Sequence, residues 1–233
     1  MLDPADCGPA CISLSQDVQG EVYDYPDEFF KERVHTIRRP RPDDFQIKEA
    51  AELIKKSKKP IIIAGGGVFY SDATDELSDF AKKHNIPVTQ TVMGYSSIKK
   101  DHAHYLGTIG GLGGRAANNL SKETDTAIAI GTKLADFTTG SWANFENPNF
   151  KLVSINAARF DANKHMAQAV VGDAKVSLIE LSQTLGSWKA DVSWYKKSRI
   201  ELKNWEAYVE KESAPTNQKL PSYAQVILSL IHI

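Results

Sequence analysis

Two cysteines in 233 residues are too few for a disulfide framework. Cys7 and Cys11, spaced C-x3-C with no histidine nearby, cannot close a four-ligand zinc site either. Both read as ordinary small residues, Cys11 inside a strand-like piece. Neither sign of charge is in excess: 28 Lys and Arg face 29 Asp and Glu, for a net charge of -1. That leaves no basic footprint for nucleic acid or an anionic membrane. No apolar run approaches the ~20 residues a membrane span requires. The N-terminus, Met1-Leu2-Asp3-Pro4-Ala5-Asp6, is acidic and lacks a signal core. A cytoplasmic location is the expectation. Repeats and low-complexity tracts are also missing.

What is there suits a folded chain: 42% hydrophobic and 24% charged residues. The length falls between one and two domains and is ample for a core without covalent staples.

The middle of the chain alternates two periodicities. Ile47, Ala50, Ala51 and Ile54 recur at helical spacing between Asp43 and Ser57. Pro60-Ile61-Ile62-Ile63-Ala64 is a continuous apolar run stopped by Gly65-Gly66-Gly67, the pattern of a strand buried on both faces. A helix is predicted over Ser71–His84, with Ala73, Leu77, Phe80 and Ala81 inward and Ser71 or Asp72 as its cap. Ile86–Thr91 reads as a second strand with Pro87 at its start. A loop through Tyr95–Leu106 comes next, then Gly110-Gly111-Leu112-Gly113-Gly114 opening a helix at Arg115. Strands are predicted at Thr126–Gly131, Lys151–Asn156 and Ala169–Gly172. Asp173 then caps a helix carrying Ala174, Leu178, Leu181 and Leu185 on one face. Parallel strands need crossover helices, so the pattern predicts an α/β, doubly wound parallel sheet over 43–186, with helices on both faces.

The flanks differ. Residues 1–26 hold one strand-like piece, Ala10–Leu14, and 27–42 read as a linker containing Pro40 and Pro42. Residues 187–219 contain a long helix, with Tyr195, Leu202, Trp205 and Val209 on its apolar face. Pro215 and Pro221 break the chain between that helix and the last stretch, 220–233. A lone strand and a lone helix cannot each build a core, so both flanks read as pieces of neighbouring domains.

In an open parallel sheet, ligands bind beyond the strand C-termini, where the strand order reverses. The residues predicted there are Gly65, Gly66, Gly67, Thr91, Gly131, Thr132, Asn156 and Gly172. Glycines at such a place either let a phosphate approach helix amides or simply make tight turns. The full G-x-G-x-x-G and G-x-x-x-x-G-K-[ST] fingerprints are absent, which favours turns. Arg159 after the fourth predicted strand is placed to meet a phosphate or carboxylate, or to pair with Asp161 or Asp173. The Asp136–Trp142 stretch mixes aromatics and hydroxyls, as either a binding loop or a packed surface loop would. Ser141 lacks a G-x-S-x-G elbow. His102 and His104 read as surface histidines rather than metal ligands. No residue of the chain is assigned as a catalytic group or a metal ligand.

Several stretches nevertheless match a known pattern: Gly8-Pro9 through Val18-Gln19, Arg38–Asp43, Lys59–Val68, Ile130-Gly131-Thr132, Asp136–Trp142 and Asn156–Ala162. Through them, the chain from about 8 to 227 resembles the thiamine-diphosphate-dependent enzymes of the acetolactate synthase type. Within that group it is most similar to the trihydroxycyclohexane-dione hydrolases of inositol catabolism, through Asp136–Trp142 and Asn156–Ala162. The resemblance implies three domains in the parent. Residues 1–26 would end the pyrimidine-binding domain, 43–186 would be the Rossmann-like central domain, and 187–219 a connector. Residues 220–233 would begin the diphosphate-binding domain.

It implies hydrolysis of a carbon–carbon bond in a cyclic 1,2-diketone, by a homo-oligomer using thiamine diphosphate and Mg²⁺ held by the other two domains. The family's catalytic glutamate and its Gly-Asp-Gly motif would also lie there, making this chain a fragment inactive by itself. The acetolactate synthases hold FAD partly with this domain, so FAD enters as a further cofactor, with the crevice either filled or vestigial here. Two other readings stay open: a free-standing module binding ADP, FAD or NAD, and a carboligase domain like that of acetolactate synthase.

Overall fold

The structure, a computed structural model, describes residues 2–216 and 218–230. In chain order its elements are α1 (Gln16–Gln19), α2 (Asp44–Lys55), β1 (Pro60–Ala64), α3 (Gly67–Tyr70), α4 (Thr74–His84), β2 (Val88–Gln90) and β3 (Tyr105–Thr108). They continue with α5 (Arg115–Glu123), β4 (Thr126–Ile130), α6 (Asp136–Thr139), β5 (Lys151–Asn156), α7 (Arg159–Ala162), β6 (Gln168–Val171), α8 (Ala174–Leu185), α9 (Val192–Ser213) and α10 (Tyr223–Leu230). No described helix is long and apolar enough to cross a membrane.

All six strands run parallel in the order β3-β2-β1-β4-β5-β6. This is the doubly wound arrangement expected from the alternation, and the order reverses between β1 and β4. Side chains alternate across each strand. Ile62, Ala64, Ile128, Ile130, Val153 and Ile155 pack against α2, α4 and α8 on one face. Ile61, Ile63, Ala127, Ala129 and Leu152 pack against α5 and α9 on the other.

Local chemistry sets most boundaries. Asp43 caps α2 by accepting the amides of Phe45 and Gln46, and Asp173 caps α8 through those of Lys175 and Val176. The cap of α4 differs from the expectation. Asp72 is left-handed, with φ at 53°, so the helix begins only after Ala73. Ser71 and Asp72 instead end the separate turn α3, through their amides to Gly67 and Phe69.

Three further expectations change. Tyr105–Thr108 is an edge strand rather than part of a loop; it is short, and Gly107 at φ 99° disguises it. Ala10–Leu14 is exposed and unpaired, so it forms no strand, and Cys11, like Cys7, is an exposed free thiol. The inward face of α9 is led by Trp194, not Tyr195. Trp194 is 3% exposed and its indole N–H donates to the Pro60 carbonyl at 2.8 Å. Val209, assigned to the same face, is 37% exposed because the helix has run past the sheet.

The packing of α9 has a consequence for the core. Trp194 and Leu202 lie in the same cluster as Ile61, Ile63 and Leu120. Without α9, only α5 would cover much of that face.

Candidate functional site: the C-terminal edge of the sheet

The loops leaving β1 and β4 meet at the reversal in strand order, and they meet backbone to backbone. The Gly65 amide donates to the Ile130 carbonyl at 2.8 Å, and the Gly67 amide to the Gly131 carbonyl at 2.9 Å. A Cβ on Gly65 would lie 2.3 Å from the Gly131 oxygen, and one on Gly67 would lie 2.5 Å from the Gly131 Cα. Gly131 is left-handed, with φ at 59°, so both space and torsion demand glycine there. Gly66 lies against the Met93 carbonyl, where a Cβ would approach to 3.1 Å. These glycines let two loops interlock. The amides of Val68 and Phe69 also donate inward, to Gly65 and Gly66. Little of the donor set a phosphate would need at this turn is left unspent.

The next residues outward are also tied together. The Asn156 amide nitrogen donates to the Thr132 carbonyl at 3.2 Å, while its oxygen accepts the Ala158 amide at 2.9 Å. The Thr132 hydroxyl accepts the Leu134 amide at 3.3 Å. Thr91 caps the turn after β2 by accepting the Gly94 amide at 3.0 Å. Gly172 donates to the Asn156 carbonyl and is buried against Pro42 and Ser177. Gly65, Gly66, Gly67, Gly131, Thr132 and Asn156 therefore converge in one place, as the strand-end rule requires.

Arg159 stands apart at the start of α7, exposed and outside every ion pair among the described residues. The pairing expected with Asp161 or Asp173 does not form. Asp161 is taken by Lys164 at 2.5 Å and by Lys133 at 4.0 Å. Asp173 is taken by Arg39 at 3.1 Å and by its own helix amides. Arg159 is left as an unengaged cation beside the crevice.

The Asp136–Trp142 stretch is held from within. Ser141 donates to the Asp136 carboxylate at 2.8 Å, and Trp142 packs on His165 and Phe145 with ring centroids 4.5 Å and 5.5 Å away. The glycine-rich turn after β3 is bolted to it, since Gly111 donates to the Phe137 carbonyl at 2.8 Å. Asn118 closes the joint: its side chain bonds both the amide and the carbonyl of Gly110 and also accepts from Asn144. Sequence reasoning passed over Asn118. The available signal was an amide side chain in the first turn of a helix opened by glycines. Phe137 and Phe160 project outward here, 74% and 78% exposed.

Two grooves lie away from this edge. One, of about 590 Å³, runs between α4 and α8 past Asp79, Lys82 and Ile179. The other, of about 620 Å³, opens at the opposite end of the sheet past Glu49, Asp125 and Lys151.

A model of the thiamine pyrophosphate enzyme central domain matches residues 47–181, more than half of the chain and all six strands of the sheet. The chain belongs to the family of thiamine pyrophosphate enzyme central domains. Among curated proteins it is 43% identical over 211 residues to the 3D-(3,5/4)-trihydroxycyclohexane-1,2-dione hydrolase of Clostridium perfringens strain 13, covering 91% of this chain and 33% of that protein. The protein of the same name from Clostridium tetani is 42% identical over 224 residues, 92% of this chain and 35% of its own length. That from Bacillus licheniformis is 46% identical over 191 residues, 82% of this chain and 30% of its own length. The chain thus spans about a third of the length of the curated relatives it matches.

The family implies thiamine diphosphate, and the residues of this central domain do not fit it with its metal. Among the described residues no three His, Cys, Asp or Glu side chains are grouped to hold a cation. The glycine turn at the reversal point spends its amides on the Ile130 and Gly131 carbonyls and on its own Gly65 and Gly66 carbonyls.

Proposed function

We propose that this chain is the central domain of a thiamine-diphosphate- and Mg²⁺-dependent hydrolase that opens a cyclic 1,2-dione by cleaving a carbon–carbon bond in myo-inositol catabolism. One observation carries the reading: the likeness, over about nine-tenths of the chain, to proteins that share one name. The parallel sheet in the order of a doubly wound domain supports it. In this reading residues 1–26 end a pyrimidine-binding domain, 27–42 link it on, and 43–186 form the central domain. Residues 187–219 lead, through α9, toward a diphosphate-binding domain that starts in 220–233. The relatives are about three times as long as the matched stretch, which leaves room for both partner domains.

The central domain's share is architectural. It provides a rigid two-faced sheet and surface for assembly into a homo-oligomer. Thr132, Asn156 and Arg159 form one wall at the mouth of the crevice, the exposed guanidinium offering a partner for an anionic group. The cofactor and its metal bind to other domains.

A chimera tests this. This chain replaces the matching third of the Clostridium perfringens protein, and assembly is checked by sedimentation. Ring-opening of the dione by the assembled chimera is the expected result; an assembled chimera without that activity overturns it. The chain by itself, given thiamine diphosphate and Mg²⁺, is expected to turn over no dione.

A nucleotide-binding module is the second reading, supported by the strand-end glycines and by Arg159. The inward-donating amides at Gly65 and Gly67 weigh against it, and against FAD seated over that turn. Titration calorimetry with ADP, NAD and FAD at millimolar concentration decides it; heat of binding from any one would revive it.

A further inference from the structure

The end of α4 and the start of α9 meet around histidines that play no part in the crevice. His84, fully buried in the last turn of α4, donates from Nδ1 to the Trp188 carbonyl at 2.8 Å and faces the Ser182 hydroxyl through Nε2 at 3.2 Å. Its own carbonyl accepts the Ala190 amide at 2.9 Å. Asn85 ends α4 in the left-handed region and donates to the Ala190 carbonyl at 3.2 Å. That bond orients the amide, so the Asn85 oxygen faces His104 Nε2 at 3.2 Å and Nε2 must carry the proton. The His104 ring lies 4.6 Å from the ring of Tyr195, in the first turn of α9. Tyr195 donates to the Ala103 carbonyl, and Arg199, one turn on, donates to the Tyr105 carbonyl.

His104 was expected at the surface and is instead wedged between two helices, 7% exposed. Its Nδ1 is buried with no hydrogen-bond partner among the described residues. The groups around it are Lys82 of α4, His102 on its own loop, Tyr105 of β3, and Tyr195 and Arg199 of α9; Asp79, Lys82 and Asp101 face His102, and Lys83 and Lys189 face His84. A proton added to His104 would go to Nδ1, where no acceptor waits, beside the charges of Arg199 and Lys82. The face of Tyr195 offers some attraction for the cation, and the two fixed cations oppose it.

We propose that His84, Asn85 and His104 form an acid-released clasp holding the start of α9 to the sheet, so that acid frees α9 while the strands stay paired. Burial, with His102 and Arg199 next, holds His104 at about 4, below its ordinary 6.5, and burial also lowers His84. His104 is therefore neutral in the closed form above about pH 4. Open chain takes up protons near pH 6.5, closed chain only near 4, so closure weakens as pH falls through that window and weakens no further below it. Freed α9 would uncover Trp194 and Leu202 and the sheet face beneath them, making an apolar surface available only in acid.

Hydrogen–deuterium exchange on the full chain at pH 7.5 and 4.5, corrected for intrinsic rates, tests the clasp. The opening constant of amides 192–205 is expected to rise about 100-fold, from the His104 displacement alone. Amides of β1, β4 and β5 should change only a few-fold. An equal rise across helix and strands, or no rise in the helix, overturns the proposal. The His104→Gln variant keeps a neutral donor toward Asn85 and cannot titrate, so most of the pH effect on α9 should vanish; an undiminished effect also overturns it. If that variant does not fold, NMR titration of His104 in the native chain decides: a midpoint near 4 supports the clasp and one near 6.5 refutes it.

Discussion

Residues 2–38 and the central sheet are both rich in large apolar side chains, and only one of them buries any. Ile12, Leu14, Val22, Phe29, Phe30 and Val34 are each more than 60% exposed, whereas Ile61, Ile62 and Ile63 are fully buried. The arm even gathers its own rings, with Tyr25 and Phe29 at 4.8 Å and Phe29 and Phe30 at 5.3 Å, without excluding solvent. The difference is not hydrophobicity. The sheet's apolar residues recur with period 2 or 3.6 and meet paired faces, while the arm's rings share no ladder and no opposing layer. Apolar content drives burial only where backbone groups are satisfied at the same time.

The contrast is sharpest in what substitutions should cost. Trp194→Ala removes a buried indole and its bond to Pro60, and is expected to cost about 3–5 kcal/mol. Phe29→Ala in the arm should stay within about 0.5 kcal/mol of the parent. Urea denaturation of both variants measures the difference, and a comparable loss from Phe29→Ala would show that the arm packs on the sheet after all. Next comes Gly131→Val, which combines a left-handed torsion with a clash against Gly67 and should cost about 3 kcal/mol or more. Gly8→Val, with nothing within 4 Å of the new Cβ, should be neutral by the same assay.

Asp173→Ala probes the seam between the two regions. It removes the cap of α8 and the partner of Arg39, for about 1–2 kcal/mol, and should also free residues 38–42 to proteolysis. The smallest effect is expected at Glu123, which bridges Lys59 before β1 and Lys197 of α9. The hydrogen bond from Lys197 is the first cause that holds this carboxyl below its ordinary 4.5. The bridge therefore stabilises above that value and is lost as pH falls through the lowered one. Glu123 is 41% exposed, so Glu123→Gln should cost about 0.5–1 kcal/mol at pH 7 and low salt, less in high salt. Matched denaturation at falling pH should show the difference between variant and parent shrink once pH drops below 4.5.

Much of the sheet was legible beforehand. Short runs rich in isoleucine and alanine and ended by glycine marked β1 and β4, and Asp43 and Asp173 announced α2 and α8 through capping chemistry. β3 escaped because an edge strand of four residues with a glycine inside has too little pattern. Trp194 and Tyr195 are neighbours, and helical spacing by itself could not say which faced the sheet. The site was half legible. The strand-end rule placed the glycines, Thr132 and Asn156 correctly, but could not say that Asp161 and Asp173 were committed elsewhere and that Arg159 was left over. His104 was misjudged because its burial comes from α9, some ninety positions along the chain.

By itself, then, the sequence determined most element types of the central region, the parallel doubly wound sheet and the edge where its loops converge. Those come from periodicity and capping, which act over a few residues. Only the tertiary structure decided that the glycines spend themselves on each other, that α9 completes the second core and that a histidine lies trapped beneath it. Close approach, burial and charge pairing are set by segments distant in sequence, and no local pattern encodes which of them will meet.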